Sequence, residues 1–188
     1  MKKFVEKLRK EYQYYTKSRH LIISQANDAL HLSKQAIFSL HRDQFEKAEI
    51  IISQAEKKIL SLSDNLKKAP DLKYNGAYKA ALEEYLEAKL FWQVLKFGSI
   101  KPVKEIKLNF DDYLAASCDL TGEMVRKMIF FVTENKNDQA KELKELIAEI
   151  LEELVKFDLT GYLRHKYDDA KRNLKKAEEI IYDLKIRK

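Results

Sequence analysis

The sequence predicts an all-α fold, a single-domain bundle of six or seven helices over residues 1–188. Three observations carry that prediction. Four Gly and two Pro in 188 residues are too few to punctuate a β protein. Leu, Ile, Lys, Glu and Ala are abundant, a composition that favours helices. Apolar residues also recur three and four apart through long segments, the period of a helix with one buried face.

The first helix is expected over about residues 2–41, where Leu21, Ile22, Ala26, Ala29, Leu30, Ile37 and Phe38 keep helical spacing without Gly or Pro. A helix of that length needs packing partners to be stable. Asp43 reads as an N-cap, with Glu46 three residues on, opening a second helix to about residue 68. Ala69-Pro70-Asp71 stops it. A third helix follows over about residues 75–97 and ends near Gly98. Residues 99–109 carry Pro102 and no clear period, so they read as a loop. The fourth helix covers about 111–133, and Asn135-Lys136-Asn137-Asp138 is a turn.

A fifth helix over about 138–156 carries the stripe Leu143, Leu146, Ile147, Ile150, Leu151 and Leu154. Gly161 then breaks the chain before a last helix to about residue 185. That helix has the sharpest pattern. Leu163, Tyr167, Ala170, Leu174, Ala177, Ile181 and Leu184 alternate spacings of four and three, a heptad seam flanked by Arg and Lys. Such a seam serves either an internal bundle contact or a subunit interface.

Charged residues are 35% of the chain and hydrophobic ones 45%, which argues for a folded and highly charged protein. The net charge of +6 permits a polyanionic partner without requiring one. Cys118 is the single cysteine, so no internal disulfide framework exists, and a reducing, cytoplasmic setting is expected. No apolar run approaches the roughly 20 residues that span a bilayer, so no membrane partner is expected. The first residues interleave charge with Phe4, Val5 and Leu8 and lack a signal peptide's apolar stretch.

Against this basic background two acidic segments stand out. Glu84 and Glu87 are three apart, and Asp119 and Glu123 four apart, on the third and fourth helices. Either spacing puts both carboxylates on one helix face. Two such faces turned together would gather four hard oxygen donors, a set that suits Mg²⁺ or Mn²⁺ rather than zinc. Spacing alone favours solvated helix faces in a chain this rich in Glu. Glu83 points roughly 100° away from Glu84 and is left out. Cys118 reads as a small core residue rather than a nucleophile.

Basic and aromatic residues interleave in the first helix, where Arg9, Tyr15 and Arg19 pair phosphate-binding cations with a stacking ring. The alternative is a long exposed helix with a few core aromatics. Arg126 would either pair with Glu123 or hold a phosphate. His41 and Arg42 read as a helix cap or as nucleic-acid contacts, with the cap favoured.

Several stretches resemble the translin and translin-associated factor X family. They are Ser33-Lys34-Gln35-Ala36-Ile37-Phe38-Ser39-Leu40-His41-Arg42, Glu84-Tyr85-Leu86-Glu87-Ala88, Asp112-Tyr113-Leu114, Cys118 to Arg126 with its core Asp119-Leu120-Thr121-Gly122-Glu123, and the closing Lys176 to Arg187. The resemblance covers nearly the whole chain, in order. It implies a translin-like oligomer of six to eight copies enclosing a basic cavity. It also places Glu84, Glu87 and Asp119 at the factor X branch's catalytic carboxylates, and Glu123 at the accompanying acidic position. The implied activity is Mg²⁺-dependent endoribonuclease cleavage of single-stranded RNA. In place of translin's Arg/His-rich stretch the chain reads Leu72 to Lys79, with Lys73 the candidate nucleic-acid contact. The remaining readings are a non-catalytic binder of single-stranded RNA or DNA, and a structural subunit that needs another chain.

Overall fold

A computed structural model describes residues 1–68, 70, 72 and 76–186. Six helices form, and no strand occurs among the described residues: α1 Lys2–His41, α2 Phe45–Lys68, α3 Gly76–Phe97, α4 Phe110–Thr133, α5 Asn137–Leu154 and α6 Gly161–Ile186. Helix α1 packs on α2 and α3, α3 packs on α4, and α4 packs on α5 and α6. Two three-helix groups therefore meet at the α3–α4 seam. Their common core includes Leu40, Ile59, Tyr85, Phe91, Leu120, Met124 and Met128. No described helix is long and apolar enough to cross a membrane.

Helix ends follow local chemistry, with one correction. Asp43 does not cap α2. It has φ +58° and closes α1 instead: its N–H donates to Leu40 O at 3.1 Å, and the Gln44 N–H to Ser39 O at 3.0 Å. That is a Schellman closure with aspartate at the left-handed position glycine usually takes. Asn135, φ +62°, closes α4 in the same way, with the Lys136 N–H donating to Phe131 O at 2.8 Å. The Asn109 N–H donates to Asp112 at 2.8 Å, fixing the start of α4. The loop before it is tethered by the Tyr113 hydroxyl to both Val103 N and O, and it buries Val103 and Ile106.

The α6 seam turns inward. Tyr167, Ala170 and Ala177 are buried, and Leu174 and Ile181 pack on the core, because α4 and α5 supply the facing surface. The first helix behaves differently along its length. Ile22 is its first buried residue, and Phe4, Val5, Leu8, Tyr12 and Tyr15 before it are all exposed. Leu21 and Phe38, expected in the core from their spacing, are also exposed, because the α2/α3 contact covers a narrower face than the apolar stripe.

Candidate active site and nucleic-acid surface

Four helices converge on a cavity of about 590 Å³. Helix α3 contributes Glu84 and Glu87, and α4 contributes Asp119, Gly122, Glu123 and Arg126. Lys34 and Phe38 of α1 and Lys166 and Asn173 of α6 complete the wall. The i,i+3 and i,i+4 spacings thus bring all four predicted carboxylates to one place. Helix α6 approaches closely at Gly122, where an added Cβ would lie 3.4 Å from Asn173 Nδ2. Asn173 also donates to the Thr121 hydroxyl at 2.9 Å, locking α6 against α4 beside the acids.

The electrostatics differ sharply among these acids. Glu87 is held well above the ordinary carboxylate value by burial, then by the negative charges of Asp119, Glu84 and Glu123, with Lys166 only partly offsetting them. Burial also raises Glu84, with Lys34, 3.9 Å away, pulling the other way. Crowded carboxylates repel unless a cation joins them. Lys166 supplies part of that charge. Its ammonium donates to Asp119 and stands 3.7 Å from Glu83. Burial disfavours the Lys166 charge, but hydrogen bonds to Asp119 and Tyr162 outweigh it and keep its pKa above the usual lysine value.

Two residues missed from sequence organise the fourth carboxylate. His41 is not simply the end of α1. Its buried ring lies between Phe91 and Phe130, and Nε2 hydrogen-bonds Glu123. Lys127, 1% exposed, donates to Leu40 O at 3.4 Å, His41 O at 3.2 Å and Asp43 Oδ1 at 2.8 Å. An α4 lysine thereby caps the carbonyl end of α1 and fixes the residue that holds Glu123. No local signal marks either role, because the partners are more than 80 residues apart.

Arg126 lies 3.8 Å from Glu123 and lines the cavity. Arg42 does not line it. It caps α1 with its guanidinium 4.2 Å over the Phe38 ring. Arg9, Tyr15 and Arg19 are exposed on the unpacked half of α1. At 1.5 Å per residue, Arg19 and Arg9 lie roughly 22 and 38 Å along the helix from Lys34, so α1 does not bring them to the carboxylates. Lys73 falls outside the described residues. Glu83, set aside from spacing, faces Lys166 from outside the acidic cavity. Cys118 is buried, and burial with Asp119 beside it pushes its thiol up to about 12, so it supplies no nucleophile.

The donor set, all carboxylate oxygen, fits a hard divalent cation. The acids face one another without yet converging: among the described residues no three His, Cys, Asp or Glu side chains are placed to hold one ion together.

Two acidic helices opposed across one cavity, inside a six-helix bundle and rimmed by lysine and arginine, define a helical protein with a carboxylate centre. The Translin family model matches residues 17–188, and the chain belongs to that family. It is 27% identical to the Translin-associated protein X homolog of Schizosaccharomyces pombe, covering 90% of this chain and 81% of that one. It is 30% identical to human Translin over a shorter stretch, 58% of this chain and 51% of Translin. The fold matches the crystal structure of AfC3PO with a TM-score of 0.88 at 20% identity, covering 98% of each chain. An AfC3PO–duplex RNA complex matches at 0.84 and 19% identity, covering 98% of this chain and 97% of that one.

Proposed function

We propose that this chain is a Mg²⁺- or Mn²⁺-dependent endoribonuclease acting on single-stranded RNA, with Glu84, Glu87, Asp119 and Glu123 as its metal-binding and catalytic carboxylates. The observation that carries this reading is the charge imbalance of the cavity. Burial and three neighbouring acids push Glu87 well above its ordinary value of 4.5, an arrangement that an added cation relieves. Held by these carboxylates, such an ion would supply an activated water and offset charge on the phosphate. The chain's own residues do the rest. His41 holds Glu123 in place, and Lys34, Arg126 and Lys166 offer the phosphate cationic partners at the rim.

The protein works as a homo-oligomer of six to eight copies. Support comes from the apolar face of α1, where Phe4, Val5, Leu8 and Tyr12 find no cover within one chain. The C3PO names of the matched folds and the duplex RNA in one of them agree with assembly around RNA. Arg9, Tyr15 and Arg19 on the same segment would then contact nucleic acid from a neighbouring copy, with single-stranded DNA as a further ligand.

One observation favours a second reading, a non-catalytic binder of single strands: Lys166 already neutralises Asp119, and the acids are not converged. A cleavage assay separates the two. Labelled single-stranded RNA is incubated with Mg²⁺, with EDTA, and with Glu84→Ala, Glu87→Ala and Asp119→Ala. The nuclease reading expects cleavage by wild type alone and only with metal. Equal cleavage by the variants would sink the proposed site, and tight binding without cleavage selects the binder.

A further inference from the structure

A second cavity of about 570 Å³ adjoins the carboxylate site and is lined by Lys79, Ala80, Glu83, Asp111, Tyr162 and Leu163 among others. Lys166, in the wall of the carboxylate site, links the two: its ammonium bonds Asp119 and stands 3.7 Å from Glu83, which lines the second cavity. Tyr162, at the start of α6, is 55% exposed, and two contacts anchor its side chain. Its hydroxyl donates to Glu83 Oε2 at 2.6 Å, and Lys166 Nζ stands 5.2 Å from its ring centroid. A ring held this way presents a stacking face with little further ordering to lose.

The charge of this cavity is the reverse of a phosphate site. Glu83 and Asp111 line it, and its lysine, Lys79, is already bound to Asp112 at 3.0 Å. Both contacts to Glu83 use Oε2, so Oε1 remains to accept a donor. A phosphate would be repelled. A flat, uncharged ring carrying an amino group would stack on Tyr162 and donate to the carboxylate.

We infer that this cavity is a subsite for an unpaired nucleobase next to the phosphate held at the carboxylates, with Tyr162 as stacking platform and Glu83 selecting bases that carry an exocyclic amine. The inference rests on the nucleic-acid reading above. Adenine, cytosine and guanine each carry such an amine, whereas uracil presents carbonyl oxygens on either side of its one N–H. Purines also stack over more of the ring. Lys166 serves both cavities, as a screen between Asp119 and Glu83 and as a partner for the intervening phosphate.

The test measures binding of labelled oligoadenylate, oligocytidylate and oligouridylate of about 12 nucleotides by fluorescence anisotropy, in EDTA so that no cleavage intervenes. Wild type is expected to bind the adenylate and cytidylate roughly fivefold more tightly than the uridylate. Tyr162→Ala is expected to lose roughly tenfold on the adenylate, while Tyr162→Phe, which keeps the ring but not the hydroxyl that anchors it, loses only about two- to threefold. Glu83→Gln is expected to erase the preference against uridylate. Equal wild-type affinity for the three oligomers, or Tyr162→Ala binding the adenylate as wild type does, overturns the subsite.

Adding Mg²⁺ to the same oligomers separates the two claims. A preserved base preference without cleavage removes the nuclease reading and leaves the subsite. Cleavage without any base preference removes the subsite and leaves the nuclease reading. Failure of wild type to bind any oligomer overturns both.

Discussion

Two acidic clusters border α3, and they meet their charge in opposite ways. Around Glu56 every acid has a partner: Tyr85 OH donates to Glu56 at 2.8 Å, Lys89 is shared at 3.5 Å from Glu56 and 3.4 Å from Glu105, and Lys96 donates to Glu49 at 3.1 Å. Hydrogen bonds from its own and the Lys104 backbone N–H, together with Lys89, hold Glu105 below the ordinary carboxylate value. Around Glu87 the acids face each other, and burial first, then the neighbouring negative charges, pushes Glu87 and Glu84 upward. The first cluster is a finished surface network around a cavity of only about 160 Å³. The second is larger, and although Lys34, Lys166 and Arg126 pair with Glu84, Asp119 and Glu123, Glu87 has no such pair among the described residues. The number of carboxylates does not distinguish the clusters; the burial of one carboxyl among other acids does.

The largest expected contrast is in metal-dependent cleavage. Asp119→Ala or Glu87→Ala should lower the rate by at least about 10²-fold, as expected when metal-held charge stabilisation is lost. Glu56→Ala should leave it within about twofold, because Glu56 already has both its partners. Loss of cleavage in Glu56→Ala, measured with the same RNA, would erase the distinction.

Divalent metal should also raise the melting temperature. At a concentration of about 100 times its dissociation constant, Mn²⁺ stabilises by about 2.7 kcal/mol, or about 5–10 °C for a chain of this size. Differential scanning fluorimetry should show this rise in wild type and in Glu56→Gln, and no rise in Glu87→Ala. Replacing Lys127 by Met should come next. Two carbonyls at the end of α1 and the Asp43 carboxylate lose their buried donor, at a cost of about 2 kcal/mol, read as a lower melting temperature with or without metal.

The smallest effect is the sharpest in sign. Without metal, Glu87→Gln should raise the melting temperature at neutral pH by about 2–4 °C, because it removes an ionised carboxylate that burial and like charge disfavour. The folded state binds the Glu87 proton more tightly than the unfolded chain does. Wild-type stability therefore falls as pH rises from about 4.5 through the raised folded pKa, and this slope should disappear in Glu87→Gln. Glu56→Gln should shift the melting temperature the other way, since it discards a carboxylate that Lys89 and Tyr85 stabilise. An equal sign in both variants would show that the clusters do not differ as their geometry states.

Much of the fold was legible because helix ends are local. Gly98, Asn109, Asn135 and Gly161 lie at the boundaries, and each acts through the backbone within a few residues. Asp43 misled for the same reason: an aspartate suits a helix start, yet here Lys127, from another helix, holds its carboxylate while the residue closes α1. The pairings of Glu84 with Glu87 and of Asp119 with Glu123 were readable from the helical period. The roles of His41, Lys127 and Lys166 were not, because each acts on a carboxylate or carbonyl of a different helix. Where Arg9, Tyr15 and Arg19 lie relative to the carboxylates was not legible either, since sequence shows an amphipathic helix but not where its packing begins.

The amino-acid order by itself determined an all-α bundle of six or seven helices, most of their ends, and two faces bearing two acids each, since these depend on backbone propensity and a fixed number of residues per turn. Only the tertiary structure decided that the two faces oppose each other, that α6 brings Lys166 against Asp119, and that burial and neighbouring acids outweigh Lys166 at Glu87. The reason is physical. Electrostatic energy depends on the distance and burial of charges, and these are set by how helices rotate and pack against one another rather than by spacing along any one of them.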